Sequence, residues 1–231
     1  MMNFLTETSN LTAYLQQFIN KSVEELMLEQ GIITNAKSKN YILSIALASS
    51  YKGKNHFMAL LEHENLHLKT IQLKDNGKPK EAMSFPPFDF KEICNEVWET
   101  SKFKKYIDGS FLFFVFKKER SINYLKYIFL WKMPEEDKIT VRETWNKTRM
   151  LIINGSVFKK IEDDKVITRF PAESETRICH VRPHGKNGID LKELPFVDKT
   201  TGYKFLSKQS FWFNHSYLEE IIHQKENMNN G

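Results

Sequence analysis

Little in this sequence is suited to covalent stapling, export or membrane insertion. Cys94 and Cys179 are its two cysteines, far apart and in no Cys-x-x-Cys spacing, which excludes a disulfide framework and a zinc knuckle. Both are expected to be buried thiols in a reducing cytosol. The longest apolar run, residues 41–48, is too short to span a bilayer. The acidic, polar residues 1–10 lack the charged-then-apolar order of an export signal. A cytoplasmic chain with no membrane partner is therefore expected. No internal repeat or low-complexity block occurs, so neither a solenoid nor a flexible linker is indicated. Charge of neither sign dominates: 34 Lys and Arg against 29 Asp and Glu leave +5, which suits a polyanionic partner without demanding one.

What is present is ample material for a core. With 231 residues, 41% of them hydrophobic, the chain needs no staple to fold. A single α/β domain over residues 1–224 is expected, followed by a flexible, Asn-rich tail at residues 225–231. Leu11, Tyr14, Leu15 and Phe18 fall at helical spacing. Ser22 and Glu25 form a capping box for a second helix that Gly31 closes, and residues 41–50 predict a buried third. Asp89 caps a helix with the face Phe90, Ile93, Cys94, Val97 and Trp98. Pro134 and the acids after it open another, with the face Val141, Trp145, Thr148 and Ile152. Residues 111–116 and 124–131 are aromatic, β-branched core strands. Residues 82–85 predict a hairpin partner for the strand before the Asn76-Gly77 turn. Residues 157–160 with 166–170 predict a second hairpin, and residues 177–181 and 203–213 the last strands. Asn214 or Ser216 then caps a helix at residues 217–224. The sum is a mixed sheet flanked by helices.

The chemistry concentrates at residues 66–73. Leu66, Leu68, Thr70 and Gln72 alternate there with His67, Lys69, Ile71 and Leu73, the period of a strand. Lys69 shares a pleat face with His67, and Glu62 and Glu64 come just before. Nucleases of the PD-(D/E)xK type build a metal site on such a strand. Two carboxylates hold a divalent cation at the scissile phosphate, and a lysine orients the attacking water.

Four separated stretches extend that likeness, in order: residues 66–71, residues 133–137, residues 178–184 with Arg182-Pro183-His184, and residues 208–213 with Lys208-Gln209-Ser210-Phe211-Trp212-Phe213. Together they resemble the family of MutH and the Sau-type restriction endonucleases that act at GATC, most closely the carboxy-terminal, DNA-binding half of the Sau-type enzymes. The resemblance implies a MutH-like, restriction-endonuclease-like α/β fold. Its catalytic pattern is Asp, six residues, Glu, one residue, Lys. Laid on Lys69, that pattern falls on Leu60, His67 and Lys69, so the lysine is kept and both carboxylates are replaced. Glu62 and Glu64 lie at other spacings. No metal ligand set is therefore expected, and no cofactor, unless the chain is an active endonuclease, when Mg2+ is implied.

For DNA, the resemblance singles out Arg182, Pro183 and His184 as the group that enters the major groove. Arg can pair with guanine O6 and N7, and a proline ring can lie on a thymine methyl. Lys186 follows as a phosphate contact, with Lys208, Gln209 and Trp212 as backbone and groove contacts. Each has a plainer reading. Lys69 suits a phosphate contact or a packed stem with a solvated head. His67 suits a satisfied cleft histidine, residues 182–188 a solvated basic turn, and residues 211–213 a core strand. The function expected is binding of GATC duplex DNA as the regulatory part of a type II restriction endonuclease, beside a catalytic domain or a second copy of the chain. Two rivals stand: an active Mg2+-dependent endonuclease, and a protein-interaction subunit without DNA binding.

Overall fold

Ser22 shows how closely local chemistry governs the first helices. Its Oγ accepts from Glu25 N at 3.1 Å while its own N–H donates to the Glu25 carboxylate at 3.4 Å, the reciprocal capping box expected there. The structure, a computed structural model, describes residues 4–162, 165–184 and 190–230. In chain order the first elements are α1 (Phe4–Leu15), α2 (Val23–Glu29), α3 (Lys39–Ser50), α4 (Lys54–His63) and β1 (Leu66–Leu73). Next come β2 (Met83–Ser84), α5 (Phe90–Asn95), α6 (Lys102–Ile107), β3 (Ser110–Glu119), β4 (Ile122–Lys132) and α7 (Glu135–Ile153). The rest are β5 (Phe158–Glu162), β6 (Lys165–Thr168), β7 (Cys179–Pro183), β8 (Leu191–Glu193), β9 (Phe205–Ser207), β10 (Gln209–Phe213) and α8 (His215–Asn230). These elements sort into two compact units, one of Met1–Glu81, Tyr106–Met133 and Met228–Gly231, the other of Ala82–Lys105 and Pro134–Asn227.

The first unit is organised on a mixed sheet in which β1 runs parallel to β3 and β3 antiparallel to β4. As the middle strand, β3 is covered on both faces, and every residue from Phe111 to Phe116 is fully buried. That explains a continuous apolar run where a half-exposed strand would alternate. Leu66, Leu68, Leu112, Phe114 and Phe116 pack against Leu11, Leu15, Leu43, Leu47, Phe57 and Leu60 from the helices. The opposite face brings together the rings of Phe111, Phe113, Phe129 and Trp131. Helix α4 is not foreshadowed by the sequence pattern, because its last turn is the charged Glu62-His63 run. Gly53, at φ 91°, makes the backbone turn that separates it from α3.

In the second unit, β10 lies between β2 and β7, antiparallel to both. The Asn76-Gly77 turn forms, with Lys74 N–H donating to Lys78 O at 2.8 Å and Gly77 at φ 82°. It returns only far enough for Lys80 N–H to meet Gln72 O at 2.7 Å. The expected hairpin of residues 82–85 with β1 is therefore corrected: Met83 and Ser84 pair with Phe213 and Trp212, burying Phe85 against Phe103 and Phe213. The expected strand at residues 203–213 breaks at Lys208, whose N–H donates to Asp190 O, leaving β9 on β8 and β10 on β7. Asp89 caps α5 as expected, but that helix stops at Asn95 and Val97 is exposed. Along α7, Val141, Trp145, Thr148 and Ile152 are all buried, as their spacing predicts. Helix α8 begins at His215 and continues through the stretch expected to be a tail. Asn214, just before α8, is fully buried, meets His180 Nδ1 at 2.7 Å and donates to Thr176 O at 2.7 Å.

Candidate functional site

The centre of β1 is a stack. The His67 ring lies on the Tyr106 ring at 3.6 Å between centroids and 7° between planes, and Lys69 Nζ stands 5.4 Å from the same Tyr106 centroid. Strand pairing explains why these groups meet: His67 and Lys69 register with Phe111 and Phe113, the aromatic face of β3. Burial holds the imidazole at about 4, helped by the charge of Lys69 and opposed by a hydrogen bond with the Tyr106 backbone. The same desolvation lowers the Lys69 ammonium to about 8 and raises the Tyr106 phenol to about 12. Gly109 closes the cluster from the other side. A Cβ there would collide with Asn65 O and press on His67 Nε2, so only glycine fits without a shift. Tyr106 and Gly109 are site residues that sequence reasoning missed, since neither belongs to the β1 pattern.

Glu62 is exposed on the last turn of α4 and lines, with Asn55, Met58, Leu66 and His67, an open groove of about 560 Å3. Glu64 follows as the residue that ends the helix. Leu60, one turn earlier, is fully buried in the core. Among the described residues, no three His, Cys, Asp or Glu side chains gather closely enough to hold a metal ion.

The second cluster is on β7 and β10. Arg182 pairs with Ser210 and His180 with Trp212, so these four share one face of the sheet, while Val181, Phe211 and Phe213 turn to the other and are buried. Arg182 and Pro183 thus belong to the strand end, not to the loop in which the sequence pattern puts them. The Arg182 guanidinium carbon is 3.8 Å from the centre of the Trp212 ring. His184, exposed and anchored by its N–H to Lys208 O at 2.9 Å, brings its ring to 5.5 Å from the same indole. Trp212 Nε1 and Ser210 Oγ are buried without a hydrogen-bond partner among the described residues.

The remaining candidates scatter. Lys208 reaches Asp190 at 2.6 Å in an exposed pair, a contact that salt and solvent weaken. Gln209 is buried, and its amide donates to Ser207 O at 3.0 Å within its own turn. Lys186 falls within residues 185–189, outside the described residues.

Two comparisons bear on these clusters. The family model described as the DNA mismatch repair enzyme MutH matches residues 50–144, which takes in α4, β1, β3 and β4. The chain is also 29% identical over 241 residues to the type II restriction enzyme Sau3AI of Staphylococcus aureus, covering 90% of this chain and 49% of that protein. The chain is thus similar to the MutH family model over residues 50–144 and to a Sau-type restriction enzyme over most of its length. It spans about half the length of the curated relative it matches. Its fold is correspondingly MutH-like, with the mixed sheet of β1, β3 and β4 inside the matched region. The MutH match ends before Arg182, so the β7–β10 cluster lies in the part of the chain that this model leaves uncovered.

Proposed function

We propose that this chain binds duplex DNA carrying GATC as the regulatory part of a type II restriction endonuclease, with a nuclease centre that has lost its carboxylates. The observation that carries the reading is the fate of the three pattern positions in a chain similar to the MutH and Sau-type proteins. Leu60 is packed in the core, His67 is stacked on Tyr106, and Lys69 alone keeps the family's residue type. These residues do not fit Mg2+, which requires hard oxygen ligands that a leucine and a neutral imidazole cannot supply. What Lys69 retains is a desolvated cation on a strand, without the carboxylates that would place a metal and its water beside it.

Recognition in this reading belongs to β7 and β10. A guanidinium presents a planar fork of donors that matches guanine O6 and N7, while His184 and Lys208 supply further donors toward the backbone. Exposed Pro183 offers an apolar surface next to it. The partners are the duplex and a catalytic endonuclease domain or a second copy of the chain.

A binding titration on GATC and scrambled duplexes, with and without Mg2+ and at two salt concentrations, tests this. Preference for GATC that does not require Mg2+, over a salt-sensitive non-specific background, is the expected result. Equal, salt-insensitive failure on both duplexes would favour an interaction subunit. Cleavage of GATC plasmid that chelator and Lys69→Ala both abolish would instead establish the active endonuclease, using Glu62, which lines the same groove as His67, or Glu64.

A further inference from the structure

We infer that Trp212 is a positioning residue for Arg182 and does not itself read DNA. The inference rests on the DNA-binding reading above and deepens it. At 3.8 Å from the ring centre, the guanidinium covers an indole face that a base or sugar would otherwise need. The polar edge of the indole is not offered either, because Nε1 is buried. No acidic side chain among the described residues pairs with Arg182, so the stack, not an ion pair, sets where its head group lies. A guanidinium stacked on an aromatic face keeps its N–H edge open to an acceptor, whereas an ion pair would consume that edge.

The strand register makes this arrangement rigid. Trp212 is held opposite His180 on β7 and opposite Ser84 on β2, in the middle of its sheet, and His180 is in turn fixed by Asn214. Arg182 sits at the end of β7, followed by Pro183, whose ring limits the backbone beyond it. A long side chain at a strand end is otherwise free to sample many rotamers, and a bidentate contact needs one of them. Trp212 selects it.

The test combines a binding cycle with a readout on the free protein. Trp212→Leu, Trp212→Phe, Arg182→Ala and the Arg182→Ala/Trp212→Leu double variant are titrated with GATC and scrambled duplexes, and the Arg182 Nε–Hε resonance is followed by NMR without DNA. In the free wild-type chain, that resonance carries a ring-current shift that Trp212→Leu abolishes and Trp212→Phe retains in part. Trp212→Leu weakens GATC binding by about three- to thirtyfold and scrambled binding by less than about twofold. Trp212→Phe keeps most of the affinity, and the double variant binds no worse than Arg182→Ala. Losses that add in the double variant would make Trp212 a DNA contact and overturn the inference, as would an equal loss on both duplexes or a free-state resonance without ring-current shift. If the wild-type chain shows the shift yet binds neither duplex, the DNA reading fails and the recognition role falls with it, while the stack itself stands.

Discussion

The centre of β1 and the face of β7 and β10 use the same kit, a cation against an aromatic ring with a histidine beside it, and put it to different ends. On β1 the ring belongs to Tyr106, and the lysine is drawn into an aromatic setting that lowers its affinity for a proton to about 8. On the other face the ring belongs to Trp212, the cation is an arginine, and the neighbouring histidine is exposed. An ammonium is a compact, strongly hydrated charge that loses when its water is stripped, whereas a guanidinium is weakly hydrated and stacks well. The difference is therefore one of solvent as much as of residue type. Burial converts the first cluster into structure, and partial exposure leaves the second able to meet a ligand.

The harshest way to break that contrast is to force chemistry back into the first cluster. Leu60→Asp restores a family residue type but puts a carboxylate where the side chain is 0% exposed among Leu43, Leu47 and Phe57. Losing the packed leucine and desolvating a charge together are expected to cost more than about 4 kcal/mol, read as a collapse of the urea or thermal midpoint. A folded Leu60→Asp/His67→Glu variant that cuts DNA in Mg2+ would show instead that the site was only two residues from activity.

Arg182→Ala probes the other side of the comparison. Removing the proposed bidentate guanine contact should weaken GATC binding by about 1–3 kcal/mol and scrambled binding by much less, while loss of the stack on Trp212 lowers stability by about 1 kcal/mol or less. Equal loss on both duplexes would reduce Arg182 to a phosphate contact, and no loss on either would remove this face from the interface.

How far these clusters could be seen in the sequence follows from the range of the interactions involved. The capping box at Ser22, the cap at Asp89, the buried stripe of α7 and the period of β1 are set by neighbours within one or two turns, and all are legible. What could not be seen is pairing across long separations. Nothing in residues 82–85 says that they join β10, about 130 positions on, in place of β1 close by. Helix α4 is hidden because its apolar residues, Phe57 to Leu61, form one short run without helical period and its end is charged. Tyr106 and Gly109 reach β1 only because β3 runs parallel to it, which no local pattern signals. Arg182 was found through resemblance, but its partner Trp212 is explained only by register.

A smaller effect separates the two cations by titration. Desolvation lowers the Lys69 ammonium from 10.5 to about 8. Below about pH 8 it is charged in both states, and the folded state bears the whole penalty. Between about 8 and 10.5 the unfolded chain binds more protons, so stability rises with pH, and above that window the penalty is gone. Lys69→Met should therefore stabilise the protein at pH 7 by about 1–2 kcal/mol, an advantage that fades by pH 10.5. Urea midpoints of both proteins at pH 7 and pH 10 check it. A destabilised Lys69→Met at pH 7 would mean that the ammonium is well solvated or well paired, and the contrast with Arg182 would lose its physical basis.

The smallest expected effect lies at the acid end and belongs to His67. Its imidazole is held at about 4 by burial first and by the Lys69 charge second, against 6.5 for an ordinary histidine. As pH falls below 6.5 the unfolded chain gains a proton that the folded chain refuses until about 4, so stability is complete above that window and is lost on descending through it. His180, lowered mainly by its own burial, acts in the same direction, and carboxylates with lowered values such as Glu193 and Asp190 add their losses further down. The whole-protein profile cannot therefore isolate His67, but a difference can. His67→Gln keeps a polar side chain at the position without titrating, and it should flatten the loss between pH 6.5 and 4.5 by about 1 kcal/mol relative to wild type while leaving the steeper fall below pH 4.5 in place. Parallel profiles for the two proteins through that window would mean that the imidazole is protonated in the folded state. A cationic ring lying on Tyr106 beside Lys69 would then make β1 a second site for a phosphate, and the division between a buried and an available cluster would have to be redrawn.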